Sequence, residues 1–273
     1  MVDPSLTPVA ARSRRALVVG HLSTVGDIEV LDWVEARLAE LGVPHTVSAY
    51  SWRLRDAKPG WVDGRTVDPG LYSHLVVVCG PLDPAQFRSE IDLFARFSHC
   101  VWIGVNLTMI EPLDRFNPFD VLLERDSDRT VRPDLSLALK VDRVPVVGVC
   151  FAGWQREYGA KQQHDLARKR LLALAERRSA AVLELDTKWP ANRNKTGIRS
   201  PSEFESLLSR VDVLLTTRLH GMVLALKNGV PVVAIDAIRG GGKVTEQAHA
   251  IGWPEVFTVD TASDADLSAA LGR

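Results

Sequence analysis

Cysteine is scarce in this chain of 273 residues, and the three that occur, Cys79, Cys100 and Cys150, are far apart. An odd number of widely spaced thiols provides neither a disulfide framework nor the paired spacing of a zinc site. Each cysteine lies in or beside an apolar run, so we expect buried, reduced thiols in a cytoplasmic protein. The sequence therefore excludes a small secreted domain held together by disulfides, and it gives no sign of a metal site.

Long apolar runs and an excess of one charge are also missing. No run approaches the roughly 20 apolar residues that a membrane-spanning helix needs. The 33 Lys and Arg residues nearly balance the 34 Asp and Glu residues, which leaves a formal charge of −1. Such a balance supplies no basic field that would recruit nucleic acid or a membrane surface. We expect small-molecule partners, and association into a homo-oligomer stays open.

What the chain does contain is a repeated alternation of Val-rich runs and amphipathic stretches. Runs such as ALVVG (16–20), VPVVGVC (144–150) and VPVVAID (230–236) are apolar at consecutive positions, which is typical of parallel strands covered on both faces. Stretches such as 28–41, 84–97 and 164–177 carry apolar residues at helical spacing. Ser202 could cap a further short helix, and Gly229 is expected to end the helix after RLHG. This alternation predicts an α/β fold built from βαβ units.

The charged segment 125–143 interrupts the alternation, and a new strand pattern begins directly after it. We therefore place a domain boundary near residue 140. Residues 1–14 are predicted to form a flexible tail, residues 15–140 an N-terminal Rossmann-like domain, and residues 141–273 a C-terminal one. The two domains are expected to face each other across a central cleft.

The stretch TTRLHGMVLALKNGVPVVAID (216–236) places an Arg and a His at the turn between a strand and a helix. Ligands of open parallel sheets bind outside the carboxyl ends of the strands, where the start of the next helix also favours an anion. Arg218 offers a planar fork for a carboxylate or phosphate, and His220 can move a proton near neutral pH. Gly221 would let a ligand approach the backbone. The alternative is that Arg218 only pairs with a carboxylate across a domain and His220 only caps the turn.

Two other loops follow predicted strands. After VPVVAID, the loop AIRGGGKVTEQ brings Lys243 to the start of a helix, where it could meet a phosphate beside RLHG; a mobile surface loop is the alternative. In the N-terminal half, His21 and Asp27 lie in the loop HLSTVGD between the first strand and the first helix. Asp27 could be the N-cap of that helix, or the two side chains could bind an acceptor and supply a base.

A basic, Trp-containing segment is the last candidate. Lys188 to Arg199 reads KWPANRNKTGIR, and it forms either a solvated loop or the rim of an anionic site. Trp154 and Trp189 lie in loop-like contexts, where aromatic rings either stack on sugars or anchor the loop.

Together these motifs resemble the polysaccharide pyruvyltransferase family. The block TTRLHGMVLALKNGVPVVAID followed by GGKV is similar to that family's most recognisable segment, and VGD (25–27) resembles its N-terminal Gly-Asp loop. Arg125-Asp126 and Pro133-Asp134 look like its interdomain Arg-Asp and Pro-Asp motifs. The turn after the third strand, CGPLDP (79–84), departs from the family's glycine-rich turn, and the chain is short for the family. A small sugar or a natural-product intermediate is therefore as acceptable an acceptor as a polymer.

The resemblance implies a two-domain fold like that of GT-B glycosyltransferases. It also implies a transferase that moves the pyruvate unit of phosphoenolpyruvate onto two sugar hydroxyls, forming a cyclic ketal and releasing phosphate. Phosphoenolpyruvate is then a co-substrate, and no separate cofactor is expected.

The family's donor-binding Arg and His correspond to Arg218 and His220, and its Lys after the glycine turn corresponds to Lys243; we group Gly221 with them. Our hypothesis is that His220 is the acid or phosphate partner and Asp27 the base, with His21 and Asp27 on the acceptor side. Two alternatives stay open. One is a GT-B-type glycosyltransferase that uses a nucleotide-sugar donor, and the other is a catalytically silent relative that binds an anionic sugar.

Overall fold

The computed structural model describes residues 14–49 and 58–273, so the predicted tail lies outside the described residues except for Arg14. The chain divides into two compact units, one that ends at Val141 and one that runs from Asp142 to Arg273. Across the described ranges, none of the helices combines the length and the apolar character that crossing a membrane requires.

The N-terminal unit is built around a parallel sheet. Its strands are β1 (Ala16–Gly20), β2 (His45–Ala49), β3 (His74–Val78), β4 (Pro81–Leu82), β5 (Val101–Val105), β6 (Thr108–Met109) and β7 (Val121–Leu123), and its helices are α1 (Val25–Glu40), α2 (Pro84–Ser89) and α3 (Ile91–Ala95). The sheet has the order β2-β1-β3-β5-β7, while β4 and β6 pair separately. One face packs on Val30, Leu31 and Val34 of α1, and the other on Phe94 and Phe97. Both faces are thus covered, as the Val-rich runs predict.

The C-terminal unit repeats this plan. Its elements are β8 (Val146–Cys150), α4 (His164–Glu176), β9 (Ala181–Glu184), α5 (Pro201–Leu208), β10 (Val213–Thr216), α6 (Leu219–Lys227), β11 (Val232–Asp236), α7 (Lys243–Ala250), β12 (Val256–Thr258) and α8 (Asp264–Gly272). The sheet order is β12-β11-β10-β8-β9, and all of its pairs are parallel. Leu171 and Leu174 of α4 pack on one face, and Met222 and Ala225 of α6 pack on the other.

The two sheets share one strand order. In each unit, the first strand is flanked by the second strand on one side and by the third strand on the other. This is the doubly wound order 2-1-3-4-5, and it creates a crevice where the chain reverses direction across the sheet. The predicted α/β class with two Rossmann-like units is confirmed. The crevices lie between β1 and β3 and between β8 and β10.

Several helix boundaries differ from the predicted ones. The amphipathic stretch 84–97 forms two short helices, because Glu90 between them leaves the helical conformation with φ −110° and ψ 15°. The predicted cap Ser202 is wrong, because α5 begins at Pro201 and the backbone N–H of Glu203 donates to Ser200. A proline fits the first helical position, where its missing N–H costs no helical hydrogen bond.

Candidate anion site

Two threonines join the loops on either side of the crevice between β8 and β10. The Thr216 hydroxyl donates to the Cys150 carbonyl (2.6 Å) and accepts from the backbone N–H of Arg218 (3.0 Å). The Thr217 hydroxyl accepts from the backbone N–H of Ala152 (2.9 Å). Both threonines are buried, so these hydrogen bonds are shielded from water. They fix the turn that carries Arg218.

Arg218 is held on one side and open on the other. Its Nε donates to the Phe151 carbonyl (3.2 Å), and its Nη1 donates to the Thr187 hydroxyl (2.9 Å). The carboxylate of Asp186 is 3.8 Å from Nη1, which is too long for a hydrogen bond, and it belongs to the same unit. Nη2 has no hydrogen-bond partner within residues 14–49 and 58–273. Part of the guanidinium fork is therefore available to a ligand.

The start of α6 is available as well. Arg218 is its N-cap residue, and no side chain caps the helix. His220 is exposed and makes no hydrogen bond to any residue that the structure describes, so it does not cap the turn. The backbone N–H groups in the first turn of a helix have no intrahelical partners and attract an anion.

Gly221 has a packing role that the sequence does not reveal. A Cβ at this position would lie 2.7 Å from the Thr216 hydroxyl oxygen and 3.2 Å from the Cys150 sulfur. Glycine therefore lets α6 sit directly against the ends of β8 and β10. Close packing is therefore a reason for this glycine, and the approach of a ligand to its backbone stays a prediction.

The turn before Lys243 is organised by one buried carboxylate. Asp236, at the end of β11, accepts from the backbone N–H groups of Ile238 (3.1 Å), Gly242 (2.8 Å) and Thr245 (2.9 Å) and from the Thr245 hydroxyl (3.1 Å). Lys243 is the first residue of α7, as predicted. Asp236 thus fixes the loop that positions this lysine.

The turn before Lys243 also depends on two glycines, and the Lys243 ammonium group has specific contacts of its own. Gly240 and Gly241 have φ values of 76° and 88°, a region that residues with a side chain rarely adopt. Lys243 Nζ donates to the side-chain oxygen of Gln155 and lies 5.8 Å from the ring centre of Tyr158. The lysine is therefore directed toward the loop that follows β8.

These loops surround a cavity of about 360 Å³, called here the anion cavity. It is lined by Ala152, Gly153, Trp154, Gln155, Thr187, Lys188, Thr217, Arg218, Leu219, His220 and Lys243. The charged side chains among them, Lys188, Arg218 and Lys243, are all cationic, and no carboxylate of the described residues lines the wall. Clustered cations beside an uncapped helix start are suited to an anion with more than one charged group.

The loop after β9 contributes residues that the sequence analysis missed. Asp186 is buried and accepts from the backbone N–H groups of Lys188 (3.0 Å) and Lys195 (3.1 Å). This folds the loop so that Thr187 reaches Arg218 and Lys188 reaches the cavity wall. The strand-end rule that singled out the other loops also applies after AAVLELD (180–186), and it would have found Asp186 and Thr187.

His21 and Asp27 lie near the corresponding crevice of the N-terminal unit. The exposed His21 sits against Gly80, since a Cβ at Gly80 would be 2.8 Å from the His21 Cβ. The prediction of Asp27 as N-cap is wrong, because α1 begins at Val25 and Thr24 is the cap. Asp27 Oδ2 instead accepts from the backbone N–H of Thr24 (2.8 Å) in a capping box. Its Oδ1 has no hydrogen-bond partner among the described residues.

The segment that resembles the Arg-Asp and Pro-Asp motifs forms an ionic network within the N-terminal unit. Arg125 donates to Asp126 (2.7 Å) and Asp134 (3.0 Å), and the Asn106 amide also donates to Asp134 (3.1 Å). Burial alone would raise the pKa of Asp134, but hydrogen bonds from Ser136, Asn106 and Arg125 outweigh it and lower the pKa to about 2. These contacts hold the chain after β7.

All three cysteines are buried, as predicted, and none of them forms a disulfide. Burial raises the pKa of Cys79 and of Cys150 to about 12, so neither thiol is a ready nucleophile. Within the described part of the chain, no group of three or more His, Cys, Asp or Glu side chains is arranged to hold a metal ion.

The fold and the anion cavity define an α/β protein with a cationic site at a strand crevice. Residues 130–237 match the sequence model of the polysaccharide pyruvyl transferase family. The resemblance seen in the sequence is confirmed over this region, which contains Arg218, His220 and Asp236. It ends before Lys243 and does not reach His21 or Asp27. No curated protein matches the chain.

Three solved structures show low similarity to this chain. The UDP-GlcNAc 2-epimerase from Methanocaldococcus jannaschii has 10% identity and a TM-score of 0.33, with 95% of this chain and 92% of that chain covered. The E. coli heptosyltransferase WaaC has 11% identity and a TM-score of 0.30, with 94% and 99% covered. The spinosyn forosaminyltransferase SpnP has 15% identity and a TM-score of 0.30, with 95% and 90% covered. At these TM-scores, the fold assignment depends on the strand order of the two sheets and not on these similarities.

Proposed function

We propose that the protein transfers the pyruvate unit of phosphoenolpyruvate to two hydroxyls of a sugar, forming a cyclic ketal and releasing phosphate. The observation that carries the proposal is the anion cavity, whose charged wall is entirely cationic and whose Arg218 and His220 lie in the family-matched region. Phosphoenolpyruvate carries a carboxylate and a phosphate close together. Such a ligand needs several positive groups within one small cavity.

Phosphoenolpyruvate, the pyruvate donor, would be held by three kinds of group. The open edge of Arg218 offers paired N–H donors to a carboxylate or phosphate. The start of α6 provides backbone N–H groups and the positive end of the helix dipole. Lys188 and Lys243 add positive charge from the opposite loops. Electrostatic stabilisation by such fixed groups also assists departure of the phosphate.

The reaction requires an acid and a base. Protonation of the methylene carbon gives an oxocarbenium-like centre, which the first hydroxyl attacks while it loses its proton. Cleavage of the bond between this carbon and the phosphate oxygen then releases phosphate, and attack by the second hydroxyl closes the ketal. In the overall reaction, one of the two hydroxyl protons ends on the new methyl group and the other on the released phosphate.

We assign the acid or phosphate-partner role to His220, which is exposed and unpaired among the described residues. Asp27 is the proposed base through its free Oδ1, and His21 stands with it on the acceptor side. General acid–base catalysis of this kind contributes about 10²–10⁴-fold in rate. The acceptor is a sugar or a glycan, and the buried thiols suit a cytoplasmic setting.

Release of phosphate from phosphoenolpyruvate, measured with a panel of sugar acceptors, tests the proposal. Wild type should release phosphate only when a suitable diol is present, and Arg218→Gln and His220→Gln should lose most of that activity. Arg199→Gln is the matched control, because this exposed arginine pairs with Glu203 and does not line the anion cavity. Consumption of a nucleotide-sugar without turnover of phosphoenolpyruvate would instead support the glycosyltransferase alternative. Binding without any turnover would support the silent relative.

A further inference from the structure

The loop that follows β9, residues 186–198, is held in place by its own side chains. Asp186, whose side chain is 9% exposed, accepts from the backbone N–H groups of Lys188 (3.0 Å) and Lys195 (3.1 Å). The Asn194 amide donates to the carbonyl groups of Asp186 (2.7 Å) and Lys188 (2.9 Å). The loop is therefore a folded structure and not simply a solvated run of basic residues.

Thr187 occupies the position that these contacts control most closely. It lies between Asp186 and Lys188, so the Asn194 amide binds the carbonyl groups on both sides of it. Its side chain lines the anion cavity, and its hydroxyl oxygen accepts from Nη1 of Arg218 (2.9 Å). The loop thus presents a hydroxyl group at a fixed place beside the guanidinium.

The hydroxyl of Thr187 keeps an unused donor. A hydroxyl group has one O–H donor and two acceptor lone pairs, and a guanidinium can only donate. The bond from Arg218 therefore takes a lone pair and leaves the O–H free. This O–H makes no hydrogen bond to any residue within 14–49 and 58–273. The hydroxyl of Thr216, in comparison, both donates to the Cys150 carbonyl and accepts from the backbone N–H of Arg218.

Arg218 also makes the free O–H a better donor. The Arg218 side chain is 18% exposed, so its charge acts on Thr187 in a partly dry surrounding, where linked hydrogen bonds polarise one another. The O–H proton faces away from the guanidinium, because the oxygen lone pair faces toward it. Since Thr187 lines the cavity, an anion bound there is the acceptor that this proton lacks.

We propose that Thr187 is a further anion-binding residue, whose hydroxyl accepts from Arg218 and donates to an oxygen of the bound anion. The inference rests on the proposed function, because the anion is taken to be phosphoenolpyruvate, whose carboxylate and phosphate both offer such oxygens. The anion would then meet two neighbouring donors, the Thr187 hydroxyl and Nη2 of Arg218. The loop after β9 contributes a neutral donor in addition to the charge of Lys188.

Calorimetry with phosphoenolpyruvate and, separately, with inorganic phosphate tests the role of this hydroxyl on the full chain. Thr187→Val and Thr187→Ala remove the hydroxyl and should each weaken both anions about tenfold, as loss of a hydrogen bond to a charged group does. Thr187→Ser keeps the hydroxyl and should bind nearly as tightly as wild type. Thr196→Val is the matched control, because this exposed threonine of the same loop donates to Asn194 (2.8 Å) and does not line the anion cavity.

The Arg218→Lys background separates a direct contact from an effect on the guanidinium alone. In this background, Thr187→Val should still weaken phosphoenolpyruvate binding, by about threefold or more, because the O–H donor is lost whichever cation occupies residue 218. Urea denaturation shows that each variant is folded. A loss of affinity that disappears in the Arg218→Lys background would show that Thr187 only orients Arg218, and it would overturn the direct contact.

The two anions also distinguish failure of this inference from failure of the proposed function. Thr187→Val that binds both anions like wild type would overturn the inference and leave the proposed function intact. If wild type binds inorganic phosphate but not phosphoenolpyruvate, and Thr187→Val weakens phosphate, the inference stands and the proposed function fails. No binding of either anion to wild type would overturn both.

Discussion

Arg218 shows how neighbouring residues prepare a single side chain for a ligand. The Phe151 carbonyl and the Thr187 hydroxyl hold two of its nitrogens, and Asp186 adds a charge at 3.8 Å. These contacts fix the plane of the guanidinium before any ligand arrives, which reduces the entropy lost on binding. Nη2 is left without a partner in the described part of the chain and is the atom that we expect to meet the anion.

Asp134 provides a test of the ionic network in the N-terminal unit. Its hydrogen bonds lower its pKa from 3.8 to about 2. An acid whose pKa is lower in the folded state stabilises the protein above its unfolded pKa, and this contribution is lost as the pH falls through the folded value. We expect the wild type to lose stability from about pH 4 downward, and Asp134→Asn to lose less over the same interval.

Urea denaturation at pH 5, 4 and 3 measures this difference. Asp114→Asn is the control, because Asp114 is exposed and makes no hydrogen bond with described residues; its pH dependence should follow wild type. Parallel loss of stability in wild type and Asp134→Asn would show that the network around Asp134 does not stabilise the fold.

At the scale of elements, the packing of α6 on the sheet sets the position of the anion cavity. A Cβ at residue 221 would clash with Thr216 at 2.7 Å. We therefore expect Gly221→Ala to lower the free energy of unfolding by about 1–3 kcal/mol, as overpacking typically does. The displaced helix start should also weaken phosphoenolpyruvate binding.

Gly26→Ala is the matched control for this prediction. Gly26 lies in the first turn of α1, and a Cβ there would have only Thr24 Oγ1 nearby, at 3.8 Å. Alanine is the better helix former, by about 0.5–1 kcal/mol, so this variant should be as stable as wild type or more stable. Equal urea midpoints for the two variants would contradict the packing role of Gly221.

The sequence predicted the strands and the main helices well because their signals are local. Runs such as ALVVG and VPVVAID are buried strands, and Gly229, predicted to end α6, has a φ of 72°. The RLHG turn and Lys243 could be located from the same alternation of strand and helix patterns, since both follow strand ends. Cap positions were less predictable, because Ser200 and Ser202 are both plausible caps of α5.

The contacts that complete the site could not be predicted. The hydrogen bond from Arg218 to Thr187 and the one from Thr216 to Cys150 join residues far apart in sequence. They depend on the strand order of the sheet, which brings β8 between β9 and β10. The packing role of Gly221 could not be predicted either, because its close neighbours come from two different strands.

At the scale of the whole molecule, the residues of the anion cavity all belong to the C-terminal unit. The junction around residues 139–145 is irregular, and Lys140 and Arg143 are exposed. We expect limited trypsin digestion to cut there and to yield a C-terminal fragment that begins at Val141 or Val144. Because the fragment keeps the complete cavity wall, it should bind phosphoenolpyruvate with an affinity close to that of the intact chain.

Calorimetry on the purified fragment checks this expectation, and mass spectrometry identifies its first residue. A folded fragment that fails to bind phosphoenolpyruvate would show that residues of the N-terminal unit contribute to donor binding. Resistance of Lys140 and Arg143 to cleavage would show that the junction is protected.

Titration of phosphoenolpyruvate into wild type, Arg218→Lys and Arg199→Lys, followed by calorimetry, tests the central claim most directly. Lysine keeps the positive charge at residue 218 but loses the planar fork, and hydrogen bonds to charged groups contribute about 1.5–3 kcal/mol. The account predicts that wild type and Arg199→Lys bind equally, and that Arg218→Lys binds at least about tenfold more weakly. Equal affinities in all three proteins, or no binding to wild type, would contradict it.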